Sequence, residues 1–142
     1  MLVDANILLY AVDETSPFHE RARDWMEETL NGSRRVGLPW ASLTAFLRIV
    51  TNPRALADPL APAEAWALVD AWLDAPTVWV PTPGRGHREI LGRLVGDLDL
   101  RANLIPDAVL AATATEYGCE VVTLDRDFAR FEKVKHRRPL IG

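Results

Sequence analysis

Cysteine is all but missing: Cys119 stands alone, so neither an intramolecular disulfide nor a cysteine metal cage can be built. Beside Gly118 it is expected to be a small core residue with no chemical role. Long hydrophobic runs are missing too, since no stretch approaches the roughly 20 apolar residues of a membrane span. The short apolar run at 7–12 is flanked by Asp4 and Asp13 instead of following a basic segment, so no signal peptide and a cytoplasmic location are expected. Positive charge is not in excess either. A formal net charge of −4 argues against a domain that coats nucleic acid by bulk electrostatics. Lysine does not occur before Lys133.

What is present is apolar patterning on the scale of one domain. With 142 residues, about half of them hydrophobic, residues 1–142 are expected to form a single unit around one core. Residues 1–3 start a short strand that hands over, through Asp4 and Asn6, to a helix at 7–12. Ser16-Pro17 opens a helix over 18–30, which Asn31-Gly32 stops. Residues 36–38 are a strand, Pro39 opens a helix over 40–50, and Asn52-Pro53 ends it. From Pro62, the spacing of Ala65, Trp66, Val69, Trp72 and Leu73 predicts an amphipathic helix ending near 75–76. A strand at 77–80, a helix at 84–94 and a loop at 96–103 follow. Pro106-Asp107 opens an alanine-rich helix that runs to Tyr117, and 120–124 is a buried strand. The basic stretch 133–138 forms either a last strand or a mobile end. Strands alternating with helices predict an α/β fold whose parallel sheet is covered on both faces.

The acids fall where such a fold has its crevice, beyond the carboxyl ends of the strands. Asp4 follows the first strand, Asp125 and Asp127 follow the strand at 120–124, and Asp107 sits in the first turn of the preceding helix. Carboxylates crowded together raise one another's pKa unless a cation is present, and a hard cation such as Mg²⁺ or Mn²⁺ suits an all-oxygen set. Plain structural roles compete: Asp107 could complement a helix N-terminus, Asp125 could cap the turn before Phe128, and Asn6 could cap a helix. Asp4 is harder to dismiss, because a carboxylate this close to the core needs a partner.

The motifs Val3-Asp4-Ala5-Asn6-Ile7-Leu8, Pro106-Asp107-Ala108-Val109-Leu110-Ala111-Ala112 and Thr123-Leu124-Asp125-Arg126-Asp127-Phe128, in this order, resemble those of the PIN domain. More narrowly, their order and the chain length resemble the VapC-type toxins of bacterial toxin–antitoxin pairs, and 46–54 with 127–131 resembles one subgroup of them. The resemblance implies a three-layer α/β/α sandwich with a central, mostly parallel sheet. It also implies Mg²⁺-dependent endoribonuclease activity on structured RNA such as tRNA or rRNA, a cognate VapB-type antitoxin and a homodimer. It carries Asp4, Asp107 and Asp125 over as catalytic metal ligands, with Asp127 in support; Asn6, from its own position, could support them by hydrogen-bonding a ligand carboxylate or a metal-bound water. One departure stands out. Many PIN domains place a glutamate in the helix equivalent to 40–50, which here contains no acid, and Phe46 occupies the glutamate position by alignment. Fewer anionic ligands should mean weaker metal affinity. Ser42 or Thr44 could supply neutral oxygens, although outward polar positions are the expected role.

Arg48, Arg54, Arg85 and Arg88 are the candidate RNA-phosphate contacts, whereas Arg126, between two acids, is read as balancing them. His19, His87 and His136 are too scattered for a zinc set and are expected to be exposed or substrate-side. Trp66 and Trp72 lie on neighbouring faces of one helix, so either both enter the core or one lines a partner groove. Two rivals accompany the nuclease. A catalytically degenerate PIN-fold binding module would follow from the missing glutamate. A receiver-like phospho-acceptor domain fits less well, because it wants a lysine after a late strand.

Overall fold

The computed structural model describes residues 1–139. Strands β1 (Leu2–Val3), β2 (Val36–Gly37), β3 (Val78–Trp79), β4 (Val121–Val122) and β5 (His136–Arg137) form one sheet in the order β3-β2-β1-β4-β5. Every pairing is parallel, and Leu2 and Val3 lie opposite Val121 and Val122. The helices are α1 (Ala5–Val12), α2 (His19–Leu30), α3 (Trp40–Val50), α4 (Pro62–Asp74), α5 (His87–Asp97) and α6 (Leu104–Tyr117), and a 3-10 turn spans Arg126–Arg130.

The strand residues explain the layers. Successive side chains on a strand point to opposite faces, so Val3 and Val122 enter one core with Ile7, Leu8, Met26, Phe46 and Val69 from α1 to α4. Leu2 and Val121 enter the other with Leu110, Ala111, Ala114, Phe128 and Phe131. Two apolar faces, each covered by helices, give the α/β/α sandwich. No helix among the described residues is long and apolar enough to cross a membrane.

Pro39 and Asn52-Pro53 bracket α3 where the sequence places them. The 84–94 helix is displaced to His87–Asp97, because the Glu116 carboxylate accepts the Gly84 N–H at 3.1 Å and keeps 84–86 out of the helix. Helix α6 starts at Leu104, two residues before Pro106; a proline within the first turn removes an N–H that has no helical partner anyway. Its end is as expected, with Gly118 in the left-handed conformation at φ 63°. The basic 133–138 stretch resolves in favour of a strand, β5, whose ladder takes Val121 N–H and Thr123 N–H to the carbonyls of Lys135 and Arg137.

Candidate active site

In an all-parallel sheet every strand ends at the same edge. Asp4 follows β1, Trp40 opens α3 just after β2, Thr123 to Asp125 follow β4, and Arg138 follows β5. Helix α6 leads into the start of β4, so its first turn, with Asp107, returns to this edge.

Asp4 is the N-cap of α1: its Oδ1 accepts the Ala5 N–H at 2.7 Å. Its Oδ2 accepts the Thr123 hydroxyl at 2.8 Å. Thr123, fully buried, is the hub of the edge. Besides donating to Asp4, its Oγ1 accepts from Asn6 Nδ2 at 3.1 Å and from the Asp125 N–H at 3.0 Å, which uses the whole capacity of a hydroxyl. Asn6 completes the bridge. Its Oδ1 accepts the Leu124 N–H at 3.2 Å, and its Nδ2 lies 3.5 Å from Asp4 Oδ2. Asp125 caps the 3-10 turn by accepting the Asp127 N–H at 2.8 Å, as its structural role predicts.

The electrostatics join the four acids. Burial, opposed by the hydrogen bonds from Thr123 and Ala5 and reinforced by the charge of Asp125, pushes the Asp4 carboxyl above its usual range. Asp107 is pushed up to about 6, first by burial and then by the charges of Asp4, Asp125 and Asp127, with Arg130 opposing them. Among the described residues, no three His, Cys, Asp or Glu side chains stand close enough to make a ready metal cage. Yet charge acts over longer range than coordination, and the four acids share one field. Mg²⁺ needs no all-protein cage, because it binds through one or two carboxylates and keeps several waters. The donor set therefore fits a hydrated hard cation and no thiolate or imidazole metal.

The helix that lacks an acid gives a mixed outcome. Phe46 is fully buried and packs edge-on against Trp72 at 4.9 Å, so its position belongs to the core. Thr44 is exposed as expected and donates back to the Trp40 carbonyl at 2.7 Å. Ser42 departs from expectation: it is buried, and its Oγ has no hydrogen-bond partner among the described residues. The tryptophans divide, with Trp72 against the core and Trp66 exposed, stacked on Trp40 with ring centroids 6.4 Å apart.

The four candidate phosphate-binding arginines are exposed but are not gathered around the acids. Arg48 lies eight residues down α3 from Trp40, about 12 Å along the axis, and Arg54 lies beyond the end of that helix. Arg85 and Arg88 flank His87, which is held by Glu116, nine residues or about 13 Å along α6 from Asp107. The cations at the acidic edge are instead Arg126, Arg130 and Arg138. Arg130 donates to the Asp127 carbonyl at 3.0 Å and pairs with its carboxylate at 3.6 Å. Arg126 is exposed. Thr123, Arg130 and Arg138 were not singled out from the sequence, although a β-branched hydroxyl residue directly after Val121-Val122 and two before Asp125 was a usable signal for the first.

Two histidines depart from expectation. His87 is largely buried, with Nδ1 3.0 Å from Glu116 Oε1. His19 lies with Nδ1 3.0 Å from the Tyr10 carbonyl. His136 is exposed on β5. Cys119 is half-buried instead of fully so.

The family model for the PIN domain matches residues 1–134. Ribonuclease VapC33 of Mycobacterium tuberculosis is 43% identical over 140 residues, spanning 99% of this chain and 98% of that protein. Ribonuclease VapC37 of the same organism is 41% identical over 138 residues, spanning 97% and 96%. Among solved structures, VapBC2 from Rickettsia felis bound to a DNA fragment from their promoter superposes with a TM-score of 0.69 at 14% identity, covering 96% of each chain. The chain thus belongs to the PIN-domain family and, within it, to the VapC ribonucleases.

Proposed function

We propose that this VapC ribonuclease is the toxin of a toxin–antitoxin pair, a Mg²⁺-dependent endoribonuclease that cuts structured RNA such as transfer RNA. The observation that carries the metal dependence is Asp4. Its carboxylate is fixed by Ala5 and Thr123 at a strand end, and burial, reinforced by the charge of Asp125, raises its pKa. Asp4, Asp107 and Asp125 would hold Mg²⁺ or Mn²⁺, which supplies charge neutralisation at the scissile phosphate and a more acidic attacking water. The protein's share is preorganisation. Thr123 fixes Asp4 relative to Asp125, Asn6 ties α1 to the end of β4, and Arg130 moderates the charge on Asp107 and Asp127.

A VapB-type antitoxin and a second copy of the chain are the proposed protein partners. Family membership supports both, and the structural relative from Rickettsia felis is itself a VapBC assembly.

A second reading has one observation in its favour. Phe46 closes the position where many family members carry an acid, which suits a binding module that has lost catalysis. Incubating the purified protein, freed of antitoxin, with bacterial RNA and Mg²⁺ separates the two. Discrete cuts that vanish with EDTA and with Asp4→Asn support the nuclease. Intact RNA despite measurable Mg²⁺ binding supports the binding module.

A further inference from the structure

Arg138 lies at the end of the sheet edge that carries the acids, and its environment differs from that of its neighbours. One guanidinium nitrogen donates to the Leu124 carbonyl at 3.1 Å, between the hub Thr123 and Asp125. Leu124 is thereby held from both sides, because its N–H is taken by Asn6. The Nε of Arg138 is buried and has no hydrogen-bond partner among the described residues. An arginine N–H removed from water without an acceptor is costly, and an anion is the partner that best repairs it.

Of the other basic residues nearby, Arg126 is exposed, whereas two are already neutralised. Arg130 is paired with Asp127, and Arg137 with Glu120 at 3.5 Å. Arg138 makes no ion pair among the described residues, and it is not among the charges that move Asp4 or Asp107. It therefore stands at the edge without being spent on the carboxylates. The guanidinium fork matches phosphate geometry, and its unpaired Nε lies beside the strand end that leads to Asp125.

Building on the ribonuclease reading, we propose that Arg138 is a substrate-positioning residue that binds an RNA phosphate flanking the scissile one. It sets where the backbone lies across the end of β4 and takes no part in the chemistry. In a chain of net charge −4, with the four candidate arginines away from this edge, one such contact makes a measurable share of the binding.

The test is fluorescence anisotropy of labelled bulk transfer RNA over a range of salt, in the Asp4→Asn background with EDTA so that nothing is cut. Arg138→Met is expected to weaken binding on the order of tenfold and to lower the slope of log affinity against log salt by about one. Arg138→Lys is expected to restore the slope while recovering only part of the affinity. In the cutting-competent protein, Arg138→Met should raise KM more than it lowers kcat. A purely structural Arg138 would reduce kcat and thermal stability and leave the salt slope unchanged, which overturns the proposal. Unchanged affinity and slope in Arg138→Met, with the Asp4→Asn protein still binding RNA, overturns this inference alone. No RNA binding by the Asp4→Asn protein, together with no cutting by the wild type, overturns the ribonuclease reading and this inference with it.

Discussion

Helix α6 carries a carboxylate near each end, and the two live under opposite conditions. Glu116, in the last turn, faces the unfavourable end of the helix dipole, yet its oxygens accept the Gly84 N–H and meet His87 Nδ1 at 3.0 Å. The fit is close: a Cβ on Gly84 would fall 2.7 Å from Glu116 Oε2. Next to it, the Tyr117 hydroxyl donates to the Thr82 carbonyl at 2.7 Å, so this end of α6 pins the loop before α5. Asp107, in the first turn, has the favourable end of the dipole, yet burial and the charges of Asp4, Asp125 and Asp127 push its carboxyl up to about 6. A carboxylate with its partners in place holds the fold together. One that is buried and crowded with like charges has its pKa raised, and a bound cation would relieve it.

The largest expected effect is on chemistry at the Asp107 end. Asp4→Asn should lower RNA cleavage by at least ~10³-fold, while the amide still caps α1, so RNA binding and circular dichroism should be unchanged. Thr123→Val keeps the shape of the hub and deprives Asp4, Asn6 and the Asp125 N–H of their shared partner. Cleavage should fall by roughly 10- to 100-fold, and denaturant unfolding should show a loss of about 1–2 kcal/mol.

Asp107→Asn should separate function from stability. The raised carboxyl makes the folded protein the better proton binder between the ordinary 3.8 and about 6. Metal-free stability therefore falls as pH rises through that window and is level above it. At pH 7 Asp107→Asn should stabilise the metal-free protein by about 1 kcal/mol after discounting for solvent screening. Near pH 4 the gain should disappear, and cleavage should be lost at every pH. In the wild type, cleavage should decline as pH drops through about 6. The smallest effect belongs to the other end: Glu116→Gln should cost about 1 kcal/mol in thermal unfolding and leave the cleavage rate as it was.

Sequence logic reached the Asp107 end more readily than the Glu116 end. Asp4 and Asp125 were legible because they directly follow short apolar strands, and Asp107 because Pro106 marks a helix start. Helix α3 was legible because Pro39 and Asn52-Pro53 are local signals. The start of α5 was not, since it is set by Glu116 acting on Gly84 across 32 residues. Nor was the buried pairing of His87, which depends on the same contact. Arg138 was hidden because its place beside Leu124 exists only through the parallel pairing of β4 with β5. Of helix α3, the sequence shows that it lacks an acid, but only packing against Trp72 shows that Phe46 is sealed into the core.

If the crowded acids at the carboxyl edge form a cation site, a bound cation should relieve their mutual repulsion. Thermal unfolding of wild type and Asp107→Asn at pH 7, with Mg²⁺ titrated at constant ionic strength, tests it most directly. Mg²⁺ should raise the wild-type Tm progressively, and Asp107→Asn should start higher and respond little. Equal Mg²⁺ shifts in both proteins, or a metal-free Asp107→Asn that is less stable than the wild type, would contradict it.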